Sequence, residues 1–198
     1  DLLPFFLGVT WSSGLGARIW KDKKIISDSE AGHLKIDHSP FAAICGCGQR
    51  GCAEAYLGGI STTKFIVGQA HYLGDTIPPD IHPCKWLDIC YKNHEAWAIR
   101  HYKEVIIPAM GMFLAAMQNF GHFPAVVWKG SFALNAFSNI PCLEHEIRVA
   151  MQNEIMDEAW INDMKFEFVD RSPIACCPAD HDAYIGAARI AEKLLTGS

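Results

Sequence analysis

In the stretch E-A-G-H-L-K-I-D-H-S-P-F-A-A-I-C-G-C-G-Q-R-G-C-A-E, residues 30–54, Cys45, Cys47 and Cys52 fall at C-x-C-x4-C spacing, with glycines between them and His33 upstream. These residue types at this spacing predict a metal site. Zn²⁺ takes four N or S ligands in a tetrahedron, and glycines let a short loop turn tightly enough to aim several thiolates at one point. Three thiolates and one imidazole leave no open position and over-neutralise the ion, so the expected zinc is structural rather than a Lewis acid. His33 is the expected fourth ligand and His38 its rival.

Upstream of this knuckle, Phe5-Phe6-Leu7-Gly8-Val9-Thr10 is aromatic and β-branched and reads as a buried strand. The following T-W-S-S-G-L-G-A-R-I-W reads as a small-residue turn between strands, a geometry in which backbone N–H groups can hold a phosphate. A Ser/Gly-rich hairpin turn with no ligand is the simpler reading of the same residues. Arg18 to Lys21 begins a second strand, Asp22-Lys23 a turn, and Lys24-Ile25-Ile26 a third strand.

Downstream, residues 36–44 read as irregular, as suits an insertion stapled by metal, and Ala53 to Tyr56 turns helical. Ser61 is the expected N-cap of a helix from Thr62 to Leu73, Asp75 to Pro83 a loop, and Trp86 to Lys92 a short helix. Apolar positions recurring every three or four residues from Glu95 to Phe120 predict one long amphipathic helix that Pro108 kinks or divides. Ala125 to Trp128 reads as a short buried strand leading to Lys129-Gly130-Ser131, and a glycine at a strand's carboxyl end before a helix is where open α/β sheets receive ligands. Helices over Leu143–Met156 and Asp182–Leu195 enclose a strand over Phe166–Val169. Hairpins feeding a mixed sheet with helices on its faces describe one α/β domain.

With 198 residues, 50% of them hydrophobic, the chain is long enough to bury a core as a single domain. A net charge of -5 excludes a dedicated nucleic-acid binder, because phosphate neutralisation needs clustered Lys and Arg; small molecules are the expected partners. Of eight cysteines, three belong to the knuckle and Cys84, Cys90, Cys142, Cys176 and Cys177 are scattered, which implies a reducing, cytoplasmic setting. Apolar runs stop well short of the roughly 20 residues that a membrane helix needs. The chain opens at Asp1 and enters an apolar run almost at once, as a piece of a longer protein would.

The run Glu30-Ala31-Gly32-His33, followed by Cys45-x-Cys47-Gly48-x-x-Gly51-Cys52-x-Glu54, resembles the ROK family of sugar kinases and sugar-responsive repressors, in the actin-like, ribonuclease H-like ATPase superfamily. Every fixed position of that family's E-x-G-H and C-x-C-G-x-x-G-C-x-E pattern is filled. Ser12 to Ile19 stands where the family has a glycine-rich phosphate loop and keeps Gly14 and Gly16. Val126 to Ser131 resembles the family's strand and nucleotide turn, with only Gly130 retained, and Asp182 to Ala188 its closing helix.

The resemblance implies a ribonuclease H-like lobe with a zinc-stapled insertion at about residues 30–56. Zinc would be held by His33, Cys45, Cys47 and Cys52. Glu30, His33 and Glu54 would bind sugar; Ser13, Gly14 and Gly130 would face the nucleotide. The family's general base is an Asp in an N-D motif preceding the first strand, on an amino-terminal lobe absent here. The resemblance therefore implies the carboxyl-terminal lobe of an ATP- and Mg²⁺-dependent hexose or N-acylhexosamine kinase, commonly a homo-oligomer. Its alternatives are the sugar-sensing lobe of a repressor and an inactive sugar-binding relative, since Arg18, Lys129 and Ser131 put bulk where the family has glycine.

Overall fold

A computed structural model describes residues 5–22 and 24–168. Strands β1 (Phe6–Trp11), β2 (Leu15–Lys21), β3 (Lys24–Ser29), β4 (Ala125–Lys129) and β5 (Lys165–Phe168) form one sheet in the order β3-β2-β1-β4-β5. The first three pair antiparallel as successive hairpins, while β4 runs parallel to β1 and β5 parallel to β4. The unbroken apolar run of β1 fits its central position, covered on both faces, whereas β2 alternates buried and half-buried residues toward the sheet edge. The second strand begins at Leu15 rather than Arg18, so the β1–β2 connection shrinks to the three residues Ser12-Ser13-Gly14. Val169 and the expected closing helix over Asp182–Leu195 lie outside the described residues.

The helices are α1 (Ala53–Leu57), α2 (Gly59–Leu73), α3 (Pro83–Lys92), α4 (Ala96–His101), α5 (Ile107–Gly121), α6 (Ser131–Asn139), α7 (Leu143–Met151) and α8 (Ala159–Asp163). Four expected helices come out differently. Helix α2 starts two residues before Ser61, with Gly58 as N-cap and no side-chain cap, because its first N–H groups find tertiary partners: Gly59 donates to the Ser12 carbonyl at 2.8 Å and Ile60 to that of Ser13 at 2.9 Å. Helix α3 takes in Pro83 as its first residue, where a missing N–H costs nothing, and His82 Nδ1 caps the Cys84 N–H. The long helix expected over 95–120 is divided into α4 and α5 by a π-helical turn over Tyr102–Ile106. Pro108 sits in the first turn of α5, where its lost N–H is absorbed. The helix expected over 143–156 ends at Met151.

The core collects where β1 and β4 meet the helices. Trp11 is fully buried, donates its indole N–H to the Leu57 carbonyl at 2.6 Å, and packs against the rings of Trp128, Phe132 and Phe137. Gly130 (φ +113°) turns the chain from β4 into α6 directly over β1, and a Cβ there would strike the Trp11 carbonyl oxygen. Strain and a backbone clash together make Gly130→Ala expected to cost about 3 kcal/mol, read as a fall of roughly 6–12 °C in Tm.

His101 is buried on α4 with its ring stacked on Phe65 at 4.0 Å between centroids, and desolvation pushes its pKa down to about 4. Asp88, buried on α3, accepts from the Tyr102 hydroxyl and from Asn139; burial pushes its pKa up to about 6. The two act in opposite directions. The unfolded chain takes up His101's proton first, so that contribution to stability is lost as pH falls from about 6.5 toward 4, while Asp88's is lost as pH rises from about 4 toward 6. Their overlap is resolved by difference: between pH 6.5 and 5, wild type should lose about 2 kcal/mol relative to His101→Phe in denaturant titrations. Equal slopes for the two proteins would contradict the burial of a neutral imidazole.

Candidate metal and ligand site

His33 ends a short 3-10 turn (Ala31–His33), held against β2 because Gly32 offers no Cβ to strike the Leu15 carbonyl. Cys45 and Cys47 lie on a loop closed by the Ile44–Arg50 bridge and by the Cys45 N–H to Gln49 carbonyl bond of 2.7 Å. Gly48 and Gly51 take positive φ there, and a Cβ on Gly51 would meet the Asp37 carbonyl. Cys52 precedes α1 and pairs with Lys35.

The four donor atoms of His33, Cys45, Cys47 and Cys52 all lie within 4.8 Å of one another, so these residues form one candidate metal centre. His33 Nδ1 is 3.5 Å from Cys45 Sγ, and Cys47 Sγ is 3.8 Å from Cys52 Sγ. A tetrahedral ion with Zn–S near 2.3 Å and Zn–N near 2.05 Å requires edges of about 3.8 Å between sulfurs and about 3.6 Å between nitrogen and sulfur. The donor set thus fits zinc in type and number, and these two separations match two edges of such a tetrahedron. His38 is not part of the cluster. Desolvation pushes the thiol pKa of Cys52 up to about 11 and that of Cys45 upward, whereas the Gln49 N–H pulls that of exposed Cys47 down. Two of the three thiols therefore hold their protons until a cation displaces them.

Glu54, in the first turn of α1, spans the distance between this cluster and the sheet. Its Oε2 accepts the Leu15 backbone N–H at 2.9 Å, and its Oε1 lies 3.9 Å from Cys45 Sγ as acceptor. Gly14 makes room for the carboxylate: a Cβ there would sit 2.6 Å from Oε2. On the other side of the cluster, His33 Nε2 is 3.9 Å from Glu30 Oε2. The imidazole turns one nitrogen toward the thiols and the other toward an exposed carboxylate.

Three cavities surround the Ser12–Gly14 turn. One of about 270 Å³ is bounded by Ser12, Gly14, Arg18, Ser29, Glu30 and Glu54, which brings both expected sugar-binding acids onto one wall. A second, of about 610 Å³, lies between α2, α3 and the start of α6, with Ser13, Lys64, His82, Lys85, Ser131 and Asn135 on its walls. A third, of about 770 Å³, lies between the knuckle, α2 and α4. Ser13 borders all three and Gly14 the first and third, while Gly130 borders none of them, although its neighbour Ser131 lines the second. Lys64, His82 and Lys85 were not singled out in the sequence. They come from two helices and a loop cap, and no local motif connects them.

The sequence pattern of the ROK family matches residues 5–193. The chain belongs to the ROK family. None of the curated proteins matches it. Among solved structures it is similar to a ROK family transcriptional regulator, a homologue of the E. coli MLC protein, with TM-score 0.69, 18% identity, and coverage of 97% of this chain and 48% of that one. The ROK hexokinase of Thermus thermophilus gives TM-score 0.66 at 20% identity, covering 97% of this chain and 60% of the other. The ROK glucokinase of Streptomyces griseus, solved with glucose and AMPPNP, gives 0.65 at 19%, covering 96% and 61%. The chain thus spans about half to three-fifths of the length of these relatives, and its mixed five-stranded sheet flanked by helices matches their fold.

Titrating metal-free protein with Co²⁺ should saturate at one ion per chain with the intense visible absorption of tetrahedral thiolate coordination. Cys52→Ser should weaken that affinity at least about tenfold. Absence of the absorption in wild type would dissolve the centre.

Proposed function

We propose that this chain is the sugar- and nucleotide-binding lobe of an ATP-dependent hexose or N-acylhexosamine kinase, whose general base is carried by a lobe outside these residues. The observation that supports it most directly is the division of the His33 ring, with Nδ1 facing the thiols and Nε2 facing Glu30 while Glu54 flanks the same cluster. A bound zinc would fix that ring and supply positive charge against three thiolates, a structural service. The chain's own residues do the binding. With Cys45 ionised, its sulfur no longer donates to Glu54 Oε1, which leaves that oxygen to accept from a sugar hydroxyl while Oε2 remains tied to Leu15. Glu30, exposed on the same wall, accepts from further hydroxyls.

In this reading the phosphates of Mg·ATP approach the Ser12–Gly14 turn from the side of the second cavity, and transfer depends on holding donor and hydroxyl in line. The base comes from elsewhere. The chain's Asn162-Asp163 pair ends α8, before the amino end of β5, whereas the turn and Gly130 lie at the carboxyl ends of the parallel strands β1 and β4. It sits at the opposite edge of the sheet.

A sugar-responsive repressor lobe is the second reading. It is favoured by Arg18, Lys129 and Ser131, which occupy family glycine positions, and it needs the sugar wall but no nucleotide. A coupled ADP-release assay on the gene product, run across hexoses and N-acylhexosamines, separates the two. Turnover is expected, and Glu54→Gln should lower kcat/KM by roughly a hundredfold through loss of the charge and of one of the two acceptor oxygens. Sugar binding without turnover would favour the repressor reading.

A further inference from the structure

The three thiols of the knuckle differ in access. Cys45 and Cys52 keep only 3% and 2% of their surface, whereas Cys47 is open to solvent. Residues 46–50 are all exposed, and both chain neighbours of Cys47 are glycines, so neither carries a side chain to cover its sulfur. A Cβ added to Gly46 or Gly48 would meet nothing within 4 Å. A small solute approaching the cluster therefore meets Cys47 first.

The open thiol also has a second sulfur within reach. Cys52 Sγ lies 3.8 Å from Cys47 Sγ, so side-chain rotation and a small shift of the exposed tip close the gap to the roughly 2.05 Å of a disulfide. Cys52 is anchored by its backbone bridge to Lys35, which leaves the tip as the moving partner. Cys45 Sγ has other contacts, His33 Nδ1 at 3.5 Å and Glu54 Oε1 at 3.9 Å.

We propose that Cys47 and Cys52 form an oxidant-sensitive pair, and that joining them expels the ion from the metal centre. Coordination holds both sulfurs as thiolates, the form that attacks a peroxide. The Cys47 thiolate attacks hydrogen peroxide: the O–O bond breaks, one oxygen stays on sulfur as a sulfenic acid, and the other leaves as hydroxide. The Cys52 thiolate then attacks that sulfur; the S–S bond forms, the S–O bond breaks, and a second hydroxide leaves. Peroxide gains the two electrons that the two sulfurs lose. Two of the four ligands are consumed, and His33 with Cys45 alone are too few to hold a tetrahedral ion. Loss of the ion frees His33, whose Nε2 stands 3.9 Å from Glu30 Oε2, so the oxidation is felt at the wall of the first cavity. The pair depends on the metal centre but not on the sugar-binding reading.

Treating zinc-loaded protein with hydrogen peroxide beside a chromogenic chelator tests this without any assay of activity. One zinc per chain should be released, and only when peroxide is present. Trypsin cuts between the two cysteines at Arg50, and their peptides should stay joined until a reductant is added. Reduction followed by fresh Zn²⁺ should restore the load. Cys52→Ser, loaded at raised zinc, should stop instead at a Cys47 sulfenic acid that dimedone traps. Cys142→Ser removes the other exposed thiol among the described residues and should leave the release rate within about twofold of wild type. Zinc retained under peroxide, release with a disulfide other than Cys47–Cys52, or a rate that Cys142→Ser slows further than that overturns the pair and leaves the metal centre standing. Protein that takes up no metal removes both.

Discussion

Four hydrogen bonds between the β1–β2 hairpin and the α1–α2 junction hold the candidate site to the sheet. Trp11 donates to Leu57, Leu15 to Glu54, and Gly59 and Ile60 to the carbonyls of Ser12 and Ser13, at 2.6 to 2.9 Å. Each satisfies a group that would otherwise be stranded: an indole N–H in the core, a strand-end amide, and the first donors of a helix. Because both sides are backbone, or tied to backbone, the turn cannot move without taking the knuckle's carboxylate along. Three glycines around that contact have a packing role. Gly14 clears the Glu54 carboxylate, Gly59 clears the Ser12 carbonyl, and Gly130 clears that of Trp11, whereas a Cβ on Gly16 would meet nothing within 4 Å. The glycines at the turn therefore have packing reasons of their own, apart from any approach by a phosphate.

The knuckle is secured differently. Its own apolar cluster is small, built on Cys45, Cys52 and Ala55, and most of its order comes from point contacts. Tyr56 donates to Asp37 at 2.5 Å while accepting the Ala43 N–H, and Arg50 donates to the Ala42 carbonyl at 2.9 Å. The Tyr56 hydroxyl lowers the Asp37 pKa, so this strut is present at neutral pH and lost as acid protonates the carboxyl. Segments with so little buried area gain their stability from a cross-link, and four clustered donors provide the place for one. The cross-link would fix His33, and through it the position of Glu30.

How much of this was legible in the residues follows from how local each cause is. The C-x-C-x4-C spacing and the E-x-G-H run are short-range, and the structure gathers their cysteines and His33 into one cluster. The five strands were legible as apolar or alternating runs between turn residues, with ends shifted by a few positions. The start of α2 was not, because Ser61 is an ordinary capping residue and the true partners, Ser12 and Ser13, lie about 47 residues away in sequence. The π turn was hidden for a similar reason: its apolar spacing is that of a helix, and Pro108 marks only where the irregularity has already been absorbed. Cavities were the least legible, since Lys64 and Lys85 come to the same cavity only after α2 and α3 pack.

The same hydrogen-bond accounting bears on how a nucleotide could be held. Glycine-rich phosphate loops work by pointing free backbone N–H groups at the anion. In this hairpin the Ser12 N–H is taken by the Gly14 carbonyl and the Leu15 N–H by Glu54, so half of the Ser12–Leu15 donors are already committed inside the lobe. Under the kinase reading the balance of phosphate affinity must then come from side chains on the second cavity, where Lys64 and Lys85 stand on different helices beside Ser131 at the start of α6. An exposed ammonium attracts a polyphosphate through solvent-screened charge, whereas a backbone cradle works by fixed geometry. A lobe that exchanges the second for the first holds nucleotide more weakly as salt rises. It also tolerates Ser and Arg at positions where a backbone cradle would demand glycine.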